Sequence, residues 1–195
     1  AYANGIGVEQ DEAEAVKWFS KSAEQEHANA QYNLGWAYAN GRGVEQDAAE
    51  AVKWWHKAAE QGLASAQFQL GLAYADGRGV LEDGKEAVKW YLAAAEQGNA
   101  LSQYYLGMMY YDGKGVERTY VTAYAWWLIA DYNGNAYANN AKETLFSELK
   151  EKFTSDQIAE AYSYRGELLK KHPKAEHYVA LKEPTFDRDI LPIIK

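Results

Sequence analysis

Cysteine is absent from this 195-residue chain, and proline occurs only 3 times. The first absence excludes disulfides, thiolate metal sites, iron–sulfur ligation and thiol nucleophiles. It leaves the compartment open, because a reducing cytosol and a disulfide-free periplasm both accept such a chain. Basic clusters are missing too: Lys plus Arg is 20 against 28 Asp plus Glu, a formal net charge of −8. A nucleic-acid reader or an anionic-membrane binder carries a positive footprint, so neither class is expected. No apolar run approaches the roughly 18–20 residues that span a bilayer, and no charged, apolar, small-residue leader opens the chain. Any export signal would lie outside these residues. What remains, 48% hydrophobic residues and 25% charged ones, is the composition of a chain that buries a core, not of a disordered one.

The 16 glycines fall in a pattern. Gly-x-Gly-Val recurs at Gly5, Gly41, Gly77 and Gly113, always 36 residues apart, and residues 28–63 match residues 64–99 at 23 of 36 positions without a gap. A fixed period of this length predicts stacked antiparallel helix pairs. Within one period, Ala28–Asn40 reads as a helix (A) stopped by Gly41, which tolerates the left-handed conformation, while Gly43 permits a second bend. Asp47 and Glu50 form a capping box for the next helix (B), repeated as Asp11 with Glu14 and Asp83 with Glu86. Helix B carries Ala51, Val52, Trp54, Trp55, Ala58 and Ala59 at spacings of three and four, and stops at Gly62, with Gly98 and Gly134 as its equivalents.

Small residues return where helices A and B would cross: Ala30, Gly35, Ala66, Gly71 and Gly107 on A, and Ala23, Ala59 and Ala95 on B. A mid-helix glycine costs about 1 kcal/mol against alanine, so its return at one register requires a packing reason. A leucine at Gly71 is expected to overpack that crossing. Tyr38, Tyr74, Tyr110, Trp18, Trp54, Trp90 and Trp126 are expected to fill the space beside the small residues and between repeats.

The string Ala-Gln-Tyr-x-Leu-Gly-x-x-Tyr-x-x-Gly-x-Gly-Val-x-x-Asp from Ala30, followed by Ala51-Val52-Lys53-Trp54 and Ala58-Ala59-Glu60-Gln61-Gly62, resembles the Sel1-like repeat, a tetratricopeptide-like helical repeat. The resemblance implies an all-α fold, an α/α right-handed superhelix (solenoid) used as a protein-binding scaffold. It also implies a bacterial protein, exported or periplasmic in many members, serving in host contact, envelope assembly, signalling or immunity; a cytoplasmic location stays open.

Three segments are expected: repeats over 1–134, two C-terminal capping helices over 135–171, and an irregular tail over 172–195. Ala1–Gly5 aligns with Ala37–Gly41, so the first repeat starts at the last turn of a helix A, as in a fragment of a longer array. The apolar face around Val16, Trp18 and Phe19 should then be partly uncovered, with the Ile190–Ile194 tail of a neighbouring copy as one possible cover. In the fourth repeat Thr119 and Thr122 replace the Asp and Glu of the box, which weakens it. Beyond the period, Ala138 and Ala141 keep helical spacing to Leu145, Phe146 and Leu149, and Thr154 with Gln157 opens a helix to about Lys171. About ten helices result.

Chemistry is sparse. The Gly-x-Gly-Val loops lack the preceding strand and third glycine of a dinucleotide site. Ser147-x-x-Lys150 matches a motif of penicillin-recognising enzymes without the partner motifs. His27, His56, His172 and His177 do not pair at ligand spacing. No catalytic residue, cofactor or metal site is assigned. One face of helix A does vary between repeats: Asn29, Asn33, Trp36, Asn40; Ser65, Gln69, Leu72, Asp76; and Leu101, Tyr105, Met108, Asp112. Lying four, three and four apart, these share a face. On the concave side of a superhelix they would grip a partner protein or peptide, with Trp36, Tyr105 and Met108 as anchors and an acidic rim suited to a basic partner. The competing reading packs Trp36, Leu72 and Met108 between adjacent A helices. As functions, a non-enzymatic scaffold leads. A regulatory or immunity protein that occludes a toxin or enzyme is the alternative, and a hydrolase with an unrecognised carboxylate pair comes third. Nothing in the sequence sets the oligomeric state.

Overall fold

The structure, a computed structural model, describes residues 11–135, 137–138 and 154–171. Among them are eight helices and no strand: α1 (Glu12–Glu24), α2 (Ala28–Asn40), α3 (Ala48–Glu60), α4 (Ala64–Asp76), α5 (Gly84–Ala95), α6 (Ala100–Asp112), α7 (Tyr120–Tyr132) and α8 (Ser155–Lys171). The expected stub at residues 1–4, the helix through Ala141–Leu149 with its Ser147-x-x-Lys150 motif, and the 172–195 tail lie outside the described residues. The chain divides into two compact units, Ala1–Trp90 and Tyr91–Lys195.

Helix ends fall where the sequence supplies terminators. Gly41, Gly77 and Gly113 close α2, α4 and α6 at φ of +65°, +68° and +73°, in the left-handed region. Asp11 and Asp47 each accept from the backbone N–H three residues on at 2.9 Å, and Thr119 does so at 3.4 Å, the weaker cap expected. The reciprocal half of the box is different. The Asp47 N–H donates instead to the Tyr38 carbonyl at 2.9 Å, as Asp83 does to Tyr74 and Thr119 to Tyr110. The freed Glu carboxylates take up lysines three residues on, Lys17, Lys53 and Lys89. A fully reciprocal box does open α8: the Thr154 N–H donates to Gln157 Oε1 at 3.1 Å and the Gln157 N–H to Thr154 Oγ1 at 3.3 Å.

Packing explains the helical glycines. A Cβ added at Gly35 would lie 2.6 Å from Trp55 Cδ1 and Nε1 and 3.0 Å from the Ala51 carbonyl, and one at Gly107 would fall on Trp127 Nε1. The residue filling the glycine notch is therefore Trp55 and Trp127, not the register of Trp54 and Trp126 expected from sequence. That register, where Trp54 and Trp90 are described within one unit, packs between repeats. Trp54 joins the cluster around Ala23, Ala30 and Leu34, and Trp90 joins the cluster of Ala59, Ala66 and Leu70 and meets His56 edge-on at 5.4 Å. Trp18, expected in the core by its register but on a partly uncovered face by its place in the first repeat, is 53% exposed, with Lys21 Nζ 4.9 Å from its ring centroid. No described element stands before α1 as α1 and α2 stand before Trp54. Phe19 is half-buried and Val16 buried.

Buried glutamines stitch successive helices. Gln31 Nε2 donates to the Ala23 carbonyl at the end of α1 and its Oε1 accepts from Gln61 at the end of α3. Gln67 bonds the Ala59 carbonyl in the same way, while Gln103 bonds Ala95 and accepts from Asn133. Each buried amide is thus satisfied and ties together elements of adjacent repeats. The second loop glycine has a contact role besides its bend: a Cβ on Gly43 would strike the Glu12 carbonyl, and one on Gly79 the Ala48 carbonyl, both at the start of the preceding helix B.

In the 91–195 unit, α7 is buried from Ala123 to Ala130, apolar all round as a helix covered on several sides must be. Residues of α6, α7 and α8 share one cluster that includes Trp127, Leu128 and Ala161. Asn135 Oδ1 accepts from the Ala138 N–H at 3.1 Å, and Ala138 is buried.

Two outcomes follow for stability. Gly35→Leu and Gly71→Leu, both at buried positions, should each cost about 3 kcal/mol or more by urea unfolding, against about 1 kcal/mol gained if these glycines faced solvent. Glu26, at φ +62°, occupies the left-handed position that Gly62, Gly98 and Gly134 fill in the other repeats. Glu26→Gly should therefore raise stability by about 0.5–1 kcal/mol, read as a higher melting temperature.

Candidate functional site

Helix A packs its glycine face against helix B, which leaves the face bearing the variable residues turned elsewhere. In the 1–90 unit that face opens on two clefts. The first, of about 180 Å³, lies between the start of α1 and α2, with Ala15, Val16, Phe19 and Ala37 as its floor and Asn33, Trp36, Glu12 and Arg42 around it. The second, of about 230 Å³, lies between the start of α3 and α4, with Ala51, Trp55 and Ala73 as its floor and Gln69, Leu72, Ala48 and Arg78 around it. Adding 36 to Glu12, Ala15, Phe19, Asn33, Trp36, Ala37 and Arg42 gives Ala48, Ala51, Trp55, Gln69, Leu72, Ala73 and Arg78. The two clefts are one site repeated. Each is smaller than the roughly 300–1,000 Å³ of small-molecule sites and suits a single side chain.

The structure thus brings together Asn33 with Trp36, and Gln69 with Leu72, two pairs of the expected face. Trp36 is 37% exposed, and the Arg42 guanidinium carbon lies 4.7 Å from its ring centroid, a cation–π contact. Asn40 is turned back on its own helix, Nδ2 donating to the Trp36 carbonyl at 2.8 Å. Asp76 pairs with Arg78 at 2.6 Å, an ion pair whose two side chains are both exposed. The difference between the two arginines follows from their neighbours: Arg42 has an indole at 36 and a neutral Asn40, whereas Arg78 has Leu72 and the carboxylate of Asp76.

In the 91–195 unit the corresponding residues are more engaged. Tyr105 stacks on Tyr91 with centroids 5.5 Å apart and planes at 16°, and meets Tyr104 edge-on at 5.4 Å. Met108 packs on the cluster of Tyr124, Trp127 and Leu128, against α7 and not between adjacent A helices. Asp112 is exposed, and its carbonyl accepts from Arg118 at 3.1 Å. Burial raises the phenol pKa of Tyr104 and Tyr110 above the ordinary value, so both are neutral side chains here.

The outer surface of helix B is self-satisfied by contrast. The hydrogen bond from Lys53 to Glu50, then the Glu50 charge, raise the lysine pKa, and the Lys17–Glu14 pair does the same. Among the described residues no three His, Asp or Glu side chains gather as a metal site, and no helix is long and apolar enough to cross a membrane. His27 Nδ1 contacts the Ser22 carbonyl at 3.2 Å and His56 Nδ1 contacts Glu60 at 3.2 Å. Arg42 and Arg78 are the cleft residues that the sequence reading overlooked. Their signal was a cation between the two glycines of successive loops.

Trp36 should behave as a surface anchor and Trp55 as core. In urea unfolding, Trp36→Ala should cost no more than about 1 kcal/mol, chiefly its contact with Arg42, and Trp55→Ala about 3–5 kcal/mol. Equal costs would place Trp36 in the core.

Among curated proteins no sequence matches this chain. The model of the Sel1 repeat matches residues 1–27, 28–63, 64–99 and 100–135. Among solved structures, a protective antigen of uropathogenic Escherichia coli displaying an SLR fold is similar at TM-score 0.81 and 36% identity, over 94% of this chain. The chain spans only 39% of that antigen's length. A Sel1 repeat protein from Oxalobacter formigenes is similar at TM-score 0.72 and 33% identity, over 85% of this chain and 68% of that one. The fold is accordingly an all-helical solenoid, and with four consecutive repeats matched over residues 1–135, the chain belongs to the Sel1 repeat family.

Proposed function

We propose that the chain is a non-catalytic scaffold that binds a partner protein or peptide along the variable face of its A helices. Sel1 repeat proteins are generally protein-interaction scaffolds, and their fold is typically non-catalytic. The observation that carries the reading to this face is the cleft that returns one repeat later on a floor of equivalent positions, two alanines and one aromatic, with different rim residues, Asn33 and Trp36 becoming Gln69 and Leu72. A constant pocket with a variable rim offers a partner a regular set of docking points and still discriminates among partners. Trp36 is the leading anchor, since a large aromatic entering a desolvated contact carries about 2 kcal/mol or more. Tyr105, Met108 and Asp112 belong to the same face by register; Tyr105 and Met108 contribute less, being engaged within their own unit. The net charge of −8 favours a basic partner at a distance, but at contact range the clefts present Arg42 and Arg78 beside Glu12 and Asp76, so both signs of charge meet the partner.

The test is a photo-reactive residue placed at position 33 or at position 53, to capture a partner, followed by affinity measurements with the purified partner. Cross-linking is expected from position 33 and not from 53. Trp36→Ala should weaken binding about thirtyfold with little change in melting temperature, and Lys53→Ala should not. A partner captured from position 53, or weakened more by Lys53→Ala, would move the site to helix B.

A further inference from the structure

The residue between the two loop glycines is Arg42, Arg78 and Lys114 in three successive repeats, in a chain whose net charge is −8. Nothing in the turn asks for a cation there. The turn uses the backbone of that residue only, the N–H donating to the carbonyl five residues earlier: Arg42 to Ala37 at 3.0 Å, Arg78 to Ala73 at 2.9 Å and Lys114 to Met109 at 3.0 Å. Any residue but proline makes that bond. The side chains of Arg42 and Arg78 are 56% and 64% exposed, and both stand on the rim of an apolar cleft.

Building on the scaffold reading, we propose that these clefts recognise an extended, acidic–apolar segment of the partner. One aliphatic side chain enters each cleft, and a carboxylate beside it is bound by Arg42 or Arg78. The alanine floor, Ala15 and Ala37 in one cleft and Ala51 and Ala73 in the other, leaves the room that the aliphatic group fills. A guanidinium offers a carboxylate two parallel N–H donors, a geometry that lysine lacks. The carboxylates that already stand near, Glu12 at 3.8 Å from Arg42 and Asp76 at 2.6 Å from Arg78, are exposed. Exposed pairs contribute little, so each exchanges readily for a carboxylate held in a desolvated contact. The two clefts recur one repeat apart on the same helix faces, so the partner segment should carry its acidic–apolar pair more than once. The net negative charge opposes approach from a distance, but at about 0.15 M salt it is screened beyond about 8 Å, and the cleft contacts decide.

The experiment uses the full chain and dye-labelled peptides of about twelve residues built from Asp-Leu-Ser, Asn-Leu-Ser or Lys-Leu-Ser triplets, read by fluorescence anisotropy at about 0.15 M salt. The Asp peptide should bind about tenfold tighter than the Asn peptide and the Lys peptide weakest. The double variant Arg42→Gln, Arg78→Gln should erase the gap between Asp and Asn while lowering the melting temperature no more than Trp36→Ala does, since both remove the same cation–π contact, and replacing each Leu by Ser should abolish binding. Tightest binding of the Lys peptide, equal binding of all three, a gap that survives the double variant, or no binding at millimolar peptide would each overturn the proposal. These failures are separable from failure of the scaffold reading: a partner cross-linked at position 33 and lost with Trp36→Ala, but bound through a basic segment, leaves the scaffold standing and removes this chemistry.

Discussion

An indole ring occupies the space where helix A has no side chain, and the rest of the architecture depends on that fit. Gly35 receives Trp55 and Gly107 receives Trp127. A mid-helix glycine is a local cost of about 1 kcal/mol. It is offset because a buried indole contributes several times that in apolar burial and close packing. With the A–B approach set, the Gln31, Gln67 and Gln103 side chains reach the end of the preceding helix B. The loop glycines Gly43 and Gly79 likewise come down on its start. The second and third repeats are tied to their predecessors at both ends of helix B, and the fourth through Gln103 at its end, as a quasi-one-dimensional array requires.

This arrangement separates folding from recognition. The face of helix A that carries glycine and leucine, Leu34 with Gly35 and Leu70 with Gly71, is committed to the core. Helix B spends its exposed charges on internal pairs three residues apart. What is left open and variable is the other face of helix A, where the start of the preceding helix B and the loop residue between two glycines complete a cleft. In the 91–195 unit the same positions are drawn inward by stacked tyrosines and by α8, whose Ala161 joins the cluster on which Met108 packs. In the 91–195 unit Leu101 and Asp112 stay exposed on this face while Tyr105 and Met108 are engaged.

Most of the fold was legible because its determinants are local and repeated. The left-handed glycines, the Asp caps, the bounds of α2 and the opening of α8 at Thr154 all follow from residue types at fixed offsets. Choosing between adjacent tryptophans was not possible from sequence. Trp54 and Trp55 both lie within the apolar arc of α3, and only the position of α2 decides that Trp55 meets Gly35 while Trp54 turns to the preceding repeat. The half-used capping box was hidden for a related reason: the Asp47 N–H is taken by Tyr38, nine residues away across the loop. Glu26 at a glycine position was visible in the alignment of repeats, but its left-handed backbone was not. At the candidate site, Trp36 could be singled out as a position the repeat does not demand. Arg42 and Arg78 were overlooked because a surface cation in a loop is ordinarily uninformative, and only the cleft beneath each gives it meaning.

Glycine recurs in helix A because an aromatic ring from helix B fills its place, as Trp55 does at Gly35. A double-mutant cycle between Gly35→Ala and Trp55→Leu tests this most directly, with each variant's stability measured by urea unfolding. Gly35→Ala should cost about 2 kcal/mol in the native background and nearly nothing, or become stabilising, once Trp55 is leucine, a coupling of about 2 kcal/mol. Costs that add within about 0.5 kcal/mol would contradict the account.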